Sequence, residues 1–298
     1  MALQKRIRCM VMRAGTSKGV YLLENDLPQD PAEREQVILK IFGSPDPRQI
    51  DGLGGADPLT SKVAIIGPPS VEGADVDYTF GQVEIHEAKV HFNGNCGNIS
   101  AGVGPFAILM GLVKAREPVT TVRVYNTNSR KILVEEVPME DGEPAVYGDF
   151  AIPGVPGTGA EIRIDFSQTV GSITGKLLPT GNPVDEVDVP GYGVIRMSFV
   201  DMANPLVFVR AKDLGLTGTE TPAEVDENPE TLKMLEACRA AAAVKLGFAQ
   251  KAFLSHKDDP SQMNWVEGEK CWGSVKVPMG LNVTRRLSVL ENGELEEC

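Results

Sequence analysis

Asn93-Gly94-Asn95-Cys96-Gly97-Asn98-Ile99-Ser100-Ala101-Gly102-Val103-Gly104-Pro105-Phe106-Ala107-Ile108-Leu109-Met110 sets the architecture to be expected of this chain. Amides and small residues come first, and a long apolar run follows. That order predicts a buried helix whose N-terminus is the Gly/Asn/Cys loop, because a surface helix would show a polar stripe at the 3.6-residue period. Read alone, the segment is a core helix packed tightly by its neighbours. What it is buried in has to come from the runs on either side.

Upstream, Arg8–Met12 and Val20–Leu23 are strand-like and flank the polar turn Arg13-Ala14-Gly15-Thr16-Ser17-Lys18-Gly19, a hairpin pattern. Asp30–Phe42 has Pro31 early, apolar Val37, Ile38, Ile41 and Phe42 at helical spacing, and Gly43 at its end, so a helix is expected there. Lys62–Gly67 and Val76–Val83 read as strands rich in β-branched and aromatic residues. Downstream, Val119–Tyr125, Lys131–Val137 and Ala145–Phe150 return to the strand pattern, and the Gly/Pro-rich Ile152–Gly159 reads as loop. A domain boundary is placed near residue 175, giving domains 1–175 and 176–298. Gly193–Val200 and Leu206–Val209 follow as strands, and Pro229–Gly247 as a helix with Leu232, Leu235, Ala242 and Leu246 on its apolar face. Many short strands with two or three helices predict an α+β fold and not the regular alternation of a doubly wound sheet.

The 298 residues are enough for a sizeable core or two domains, and 42% hydrophobic with 23% charged residues excludes disordered and collagen-like classes. The 29 basic and 41 acidic residues leave a formal charge of −12, with no basic run denser than Lys5-Arg6 or Arg285-Arg286, so nucleic acid is not an expected partner. An acidic protein that takes an acidic ligand needs backbone amides and a few Lys or Arg residues arranged against its own field. Five cysteines without a CxxC pair fit reduced thiols in the cytoplasm and signal neither a disulfide framework nor a zinc site. No apolar stretch is long enough for a membrane span, and no secretory signal core is present.

Cys96 is one residue that could carry chemistry, because a helix start offers N–H groups to a thiolate or a carboxylate; the plainer reading is a small buried cysteine in a tight turn. Gly94 and Gly97 permit close approach of the backbone, and Asn93, Asn95 and Asn98 add amides. Lys62 opens an apolar strand after Asp57-Pro58-Leu59-Thr60-Ser61. At a strand edge a lysine is usually solvated, but in a cleft it can serve as a base. Ser17 and Thr16 offer hydroxyls in the hairpin turn, which lacks the spacing of a phosphate-binding loop. His86 and His91, five apart on one expected strand, would face opposite sides and could not share a metal, so exposed strand histidines are expected and metal is not.

Taken together, Met12–Val20, Ile50–Lys62, Asn93–Ala107, Tyr125–Asn128, Leu178–Asn182 and Val200–Pro205 resemble, in order, the PrpF-type isomerases, a family of methylitaconate, methylaconitate and oxalomesaconate isomerases and tautomerases. The wording of the motifs is most similar to that of the methylitaconate Δ-isomerases. The resemblance implies a diaminopimelate-epimerase-like fold of two similar α+β halves, each a curved sheet around a central helix, with no cofactor and with a small unsaturated di- or tricarboxylate as substrate. It implies Lys62 as the principal acid/base and Cys96 as a second acid/base or positioning group. Ser17, Thr16, Asn95, Gly97, Asn98, Thr180, Gly181 and Asn182 are implied as substrate binders, and a homodimer is expected. The second half departs from the family after about residue 253, and no second central helix is legible there. A degenerate carboxylate-binding homologue is the rival that this departure raises. A racemase of the same fold would want two facing cysteines, and Cys238, Cys271 and Cys298 lack a loop like that of Cys96.

Overall fold

The computed structural model describes residues 5–92 and 94–248, with Leu290–Glu291 and Glu294–Leu295. Two compact units are resolved, Met1–Thr169 and Val170–Cys298.

In the first unit a hairpin of β1 (Cys9–Ala14) and β2 (Ser17–Leu23) leads through α1 (Pro31–Phe42) to β3 (Lys62–Gly67), which lies parallel to β2. The caps of α1 are those its sequence requires. The Asp30 side chain accepts from Glu33 N–H at 2.9 Å, Pro31 opens the first turn, and Gly43 closes the helix at φ +73°. Antiparallel to β3 runs β4 (Val76–Val83), whose far edge is shared between the short β5 (Val90–His91) and the parallel β6 (Val119–Asn126). β7 (Lys131–Glu140) pairs with β6 and carries β8 (Glu143–Pro144) and β9 (Arg163–Asp165) on its own edges.

Strand β3 is buried along its whole length because both faces of the sheet are covered. Val63 and Ile65 point with Val20 and Leu22 toward Ile38, Leu39 and Phe42 of α1. Ala64 and Ile66 point with Tyr21, Tyr78 and Phe80 toward the central helix, which is present where the Asn93–Met110 segment predicts it. The expected α+β, diaminopimelate-epimerase-like arrangement of a sheet around a central helix is thus found in this unit.

The helix itself is two pieces, α2 (Gly97–Ser100) and α3 (Val103–Leu109). Pro105 has no N–H to give to the Ala101 carbonyl, and its ring crowds the turn before it, so the ladder breaks there. Gly102 at the break lies against the Tyr21 ring, whose hydroxyl donates to Ile99 C=O at 2.7 Å.

Two further expectations fail. Ala145–Phe150 is no strand; it holds a single bridge, Phe150 to Gly159, and Val146 and Tyr147 are exposed. Its apolar residues find no partner ladder. His86 lies exposed in the turn between β4 and β5, while His91, on β5, is half-buried with Nε2 3.1 Å from Glu84 Oε1.

In the second unit β10 (Asp185–Val189), β11 (Gly193–Asp201) and β12 (Pro205–Val209) form an antiparallel meander. After α4 (Pro222–Asp226), with its Thr221/Glu224 capping box, comes α5 (Pro229–Lys245), capped by Asn228. Ala237, Cys238, Ala241 and Ala242 of α5 pack on Val187, Val189, Met197 and Phe199, with Leu235 and Leu246 at the edge. Leu232, expected on that face, is not part of the cluster. Of the segment after residue 253, where the departure is expected, only the short antiparallel pair Leu290–Glu291 and Glu294–Leu295 is among the described residues.

Candidate active site

Lys62 is buried, with 8% of its surface exposed, on the inner face of the sheet. The register makes this necessary. Lys62 sits opposite Gly19 of β2 and Gln82 of β4, one ladder step from the inward-facing Ala64, Tyr21 and Phe80. Its ammonium donates to Gln82 Oε1 at 2.7 Å and lies 5.5 Å from the centre of the Phe80 ring. Among the described residues it makes no ion pair with a carboxylate.

The loop ahead of Lys62 is built around one buried amide. Gln49 Oε1 accepts from Ala56 N–H at 2.8 Å and from Ser61 Oγ at 2.9 Å, and its Nε2 donates to Ser44 Oγ at 3.0 Å. Gly54 is small because the Gln49 side chain fills the space where a Cβ would project. Asp57 then caps the turn Pro58–Thr60 by accepting from Leu59 N–H at 2.7 Å.

Ser17 and Thr16 come from the hairpin. Ser17 is 2% exposed and its Oγ has no hydrogen-bond partner among the described residues, an unsatisfied donor on the same face as Gly19 and hence as Lys62. Thr16 is joined to the central helix: its N–H donates to Asn98 Oδ1 at 3.3 Å and its Oγ1 accepts from Asn98 Nδ2 at 3.0 Å. Beside it, Ile99 rests on Gly19, where an added Cβ would stand 2.8 Å from Ile99 Cδ1. These contacts bring the start of α2, and Cys96 with it, over the hairpin end of the inner face.

Cys96 is half-buried at the N-cap of α2 and packs against the inner core. Its carbonyl accepts from both Ser100 N–H and Ser100 Oγ at 3.0 Å. A helix this short supplies little dipole, so the support expected for a thiolate from a long helix is reduced to the N–H groups of one turn. Gly97 is exposed, and a Cβ there would meet only Phe166 Cζ at 3.5 Å, leaving open space before the backbone. Asn95 Oδ1 accepts from Asn126 Nδ2 at 3.2 Å. Asn93 lies outside the described residues.

Beneath the site sit Tyr21, Tyr78 and Glu135. Burial holds both phenols well above their ordinary value, and the nearby Glu135 and Cys96 push in the same direction. Burial also pushes the Glu135 carboxyl from 4.5 up to about 8, against the opposing hydrogen bond from Gly104 N–H at 2.8 Å.

In the second unit, Thr180 Oγ1 donates to Asp185 Oδ2 at 2.5 Å and Asn182 Nδ2 donates to Asp185 Oδ1 at 3.0 Å. Gly181, at φ +82°, turns the chain and gives its N–H to Leu178 C=O at 2.9 Å. Two of the polar side-chain groups assigned to a substrate are therefore engaged with Asp185. Sequence reasoning missed Gln82 and Gln49. The signal for Gln82 was available, since it falls on the inward phase of β4 after Val76, Tyr78 and Phe80, where a polar residue needs a partner.

The ordered motifs around Lys62 and Cys96 are those of one family, whose model, described as PrpF protein, matches residues 4–261. The chain belongs to the PrpF family. Among its relatives are a 3-methylitaconate isomerase of Eubacterium barkeri, 59% identical over 83% of this chain, and a 4-oxalomesaconate tautomerase of Pseudomonas putida strain KT2440, 48% identical over 79% of it. The chain spans 64% of the length of each. A crystal structure of methylitaconate Δ-isomerase superposes with TM-score 0.69 at 58% identity, covering 83% of this chain and 63% of that one. No helix among the described residues of this PrpF chain is long and apolar enough to cross a membrane.

Proposed function

We propose that this PrpF chain is a cofactor-independent isomerase that moves a proton on a small unsaturated di- or tricarboxylate, with conversion of 3-methylitaconate to 2,3-dimethylmaleate as its first reaction to test. The observation that carries the reading is Lys62, a buried lysine held by a neutral amide and, among the described residues, in no ion pair with a carboxylate, on the same face of the sheet as the buried Ser17 hydroxyl, which has no hydrogen-bond partner among those residues. The E. barkeri relative's name supports the substrate.

The C3–H of 3-methylitaconate is both allylic and α to a carboxylate. In the proposal Lys62, as the free amine, removes that proton, and its electron pair spreads into a dienolate. Ser17 Oγ–H and the N–H groups at the α2 start meet the developing charge. Return of a proton to the methylene carbon, from Lys62 or from the Cys96 thiol, makes the second methyl group and moves the double bond. Thr16, Asn95, Gly97 and Asn98 position the acid, directly or through the hairpin turn. Thr180, Gly181 and Asn182 enter the proposal as substrate binders on the family motif alone. The reading also carries a cytoplasmic homodimer, checked by sedimentation.

Proton NMR of the purified chain with 3-methylitaconate in deuterated buffer is the test, with Lys62→Ala as control. Dimethylmaleate carrying deuterium, lost in the control, supports the proposal. Absence of exchange in well-folded protein, with methylaconitate and oxalomesaconate failing too, would leave a carboxylate-binding homologue instead.

A further inference from the structure

The acid/base lysine of a proton-transfer site has to be aimed, because a long flexible side chain otherwise samples many rotamers. We infer that Gln82 is the positioning residue of Lys62, an inference that rests on the proposed isomerase reading for its catalytic meaning. Gln82 lies directly across the β3–β4 ladder from Lys62, so the two side chains rise from the same row of the inner face. Its Oε1 takes the ammonium proton at 2.7 Å. Its Nε2 is fixed by two backbone carbonyls, Pro58 at 3.1 Å and Ser61 at 3.0 Å. Those carbonyls need N–H donors, which decides the orientation of the amide and leaves only its oxygen for Lys62.

A neutral acceptor is the chemically suitable choice. A carboxylate in this place would hold Lys62 as an ion pair and oppose loss of its proton, whereas an amide oxygen aims the group and adds no net charge. Titratable groups on the elements packed around Lys62 are Lys18 and Tyr21 on β2, Asp77 and Tyr78 on β4, His91 on β5, Asp57 before the preceding turn and Cys96 at the α2 start. None makes an ion pair with it, and His91 is spent on Glu84. Phe80 closes the apolar side of the ammonium.

The test uses the full chain and two variants, each checked for folding by its denaturation midpoint. Competitive labelling of Lys62 with acetic anhydride across pH, read by peptide mass spectrometry, follows its protonation whether or not the chain is active. Gln82→Glu should move the labelling midpoint up by about one pH unit, as an adjacent carboxylate does to a lysine, and move the alkaline rise of 3-methylitaconate turnover with it. Gln82→Met, which removes the acceptor but keeps the length, should lower kcat about tenfold or more while KM changes less than about threefold. A labelling midpoint in Gln82→Glu equal to that of the native chain overturns the inference, as does a Gln82→Met kcat equal to the native one. An inactive native chain would count against the isomerase reading only, and the labelling midpoint would still decide for or against Gln82.

Discussion

The side-chain amide of Asn128 takes the place of a strand residue beside Phe80: its Oδ1 accepts from Phe80 N–H at 2.8 Å and its Nδ2 donates to Phe80 C=O at 2.9 Å. It fills the gap on the edge of β4 where β6 has ended and β5 has not begun, and its Nδ2 also donates to Phe92 C=O at 2.6 Å. Asn128 Oδ1 accepts as well from Asn126 Nδ2, which reaches on to Asn95. The Tyr125–Asn128 motif is therefore a clasp between the sheet and the Cys96 loop.

Replacing that clasp by Asn128→Ala leaves partly buried backbone groups of Phe80 and Phe92 without their side-chain partner, which costs about 2–4 kcal/mol. Urea denaturation measures it, and Asn128→Asp, which sets a carboxylate oxygen against the Phe80 and Phe92 carbonyls, should lose at least as much. A loss below about 0.5 kcal/mol would show that water replaces the amide.

Two glycines should behave oppositely. Gly19→Ala places a Cβ 3.0 Å from the Lys62 carbonyl oxygen and 2.8 Å from Ile99 Cδ1, forcing α2 away from the sheet at a cost of about 1–3 kcal/mol. Gly97→Ala opens into free space at the first turn of α2 and should leave the thermal midpoint unchanged or slightly raised. Equal midpoints for the two variants would contradict the packing described.

Glu135 makes stability depend on pH. Its carboxyl is raised to about 8 in the folded chain, so between about 4.5 and 8 the folded state keeps a proton that the unfolded state has released. This contribution is complete below about 4.5 and is lost as pH rises through about 8, at roughly 1.4 kcal/mol per unit inside the window. Denaturation midpoints from pH 5 to 8 should fall for the native chain and fall less steeply for Glu135→Gln. Parallel slopes would exclude a buried proton on Glu135.

In the proposed reading, Asn98 acts on the ligand through Thr16. Since both of its polar atoms are spent on that residue, Asn98→Ala frees the hairpin turn and should weaken binding of 3-methylitaconate about tenfold, or about 1.4 kcal/mol. Calorimetric titration reads the change, and an unaltered Kd would mean that the turn holds its shape without the clamp.

The features that sequence alone determined are short-range. Asp30, Pro31 and Gly43 delimit α1 because caps act within a turn, and the β-branched run after Lys62 declares a strand, although the covering of both its faces is visible only in the fold. Family motifs singled out Lys62, Cys96, Ser17 and Asn98, which the fold of the first unit gathers toward one end of its inner face. Ala145–Phe150 shows the limit of local pattern, since an apolar, aromatic run makes a strand only where a partner edge exists.

Only the tertiary structure decided which partners these residues have. Gln82 lies across the ladder from Lys62, twenty residues away, and Asn128 completes a strand edge at Phe80, 48 residues away. Both pairings follow from strand register, which is set by how the chain closes its loops and packs both faces of the sheet at once; a shift by one residue would turn Lys62 to the α1 side and dismantle the site. Local patterns name the residues in this chain, and long-range register puts them to use.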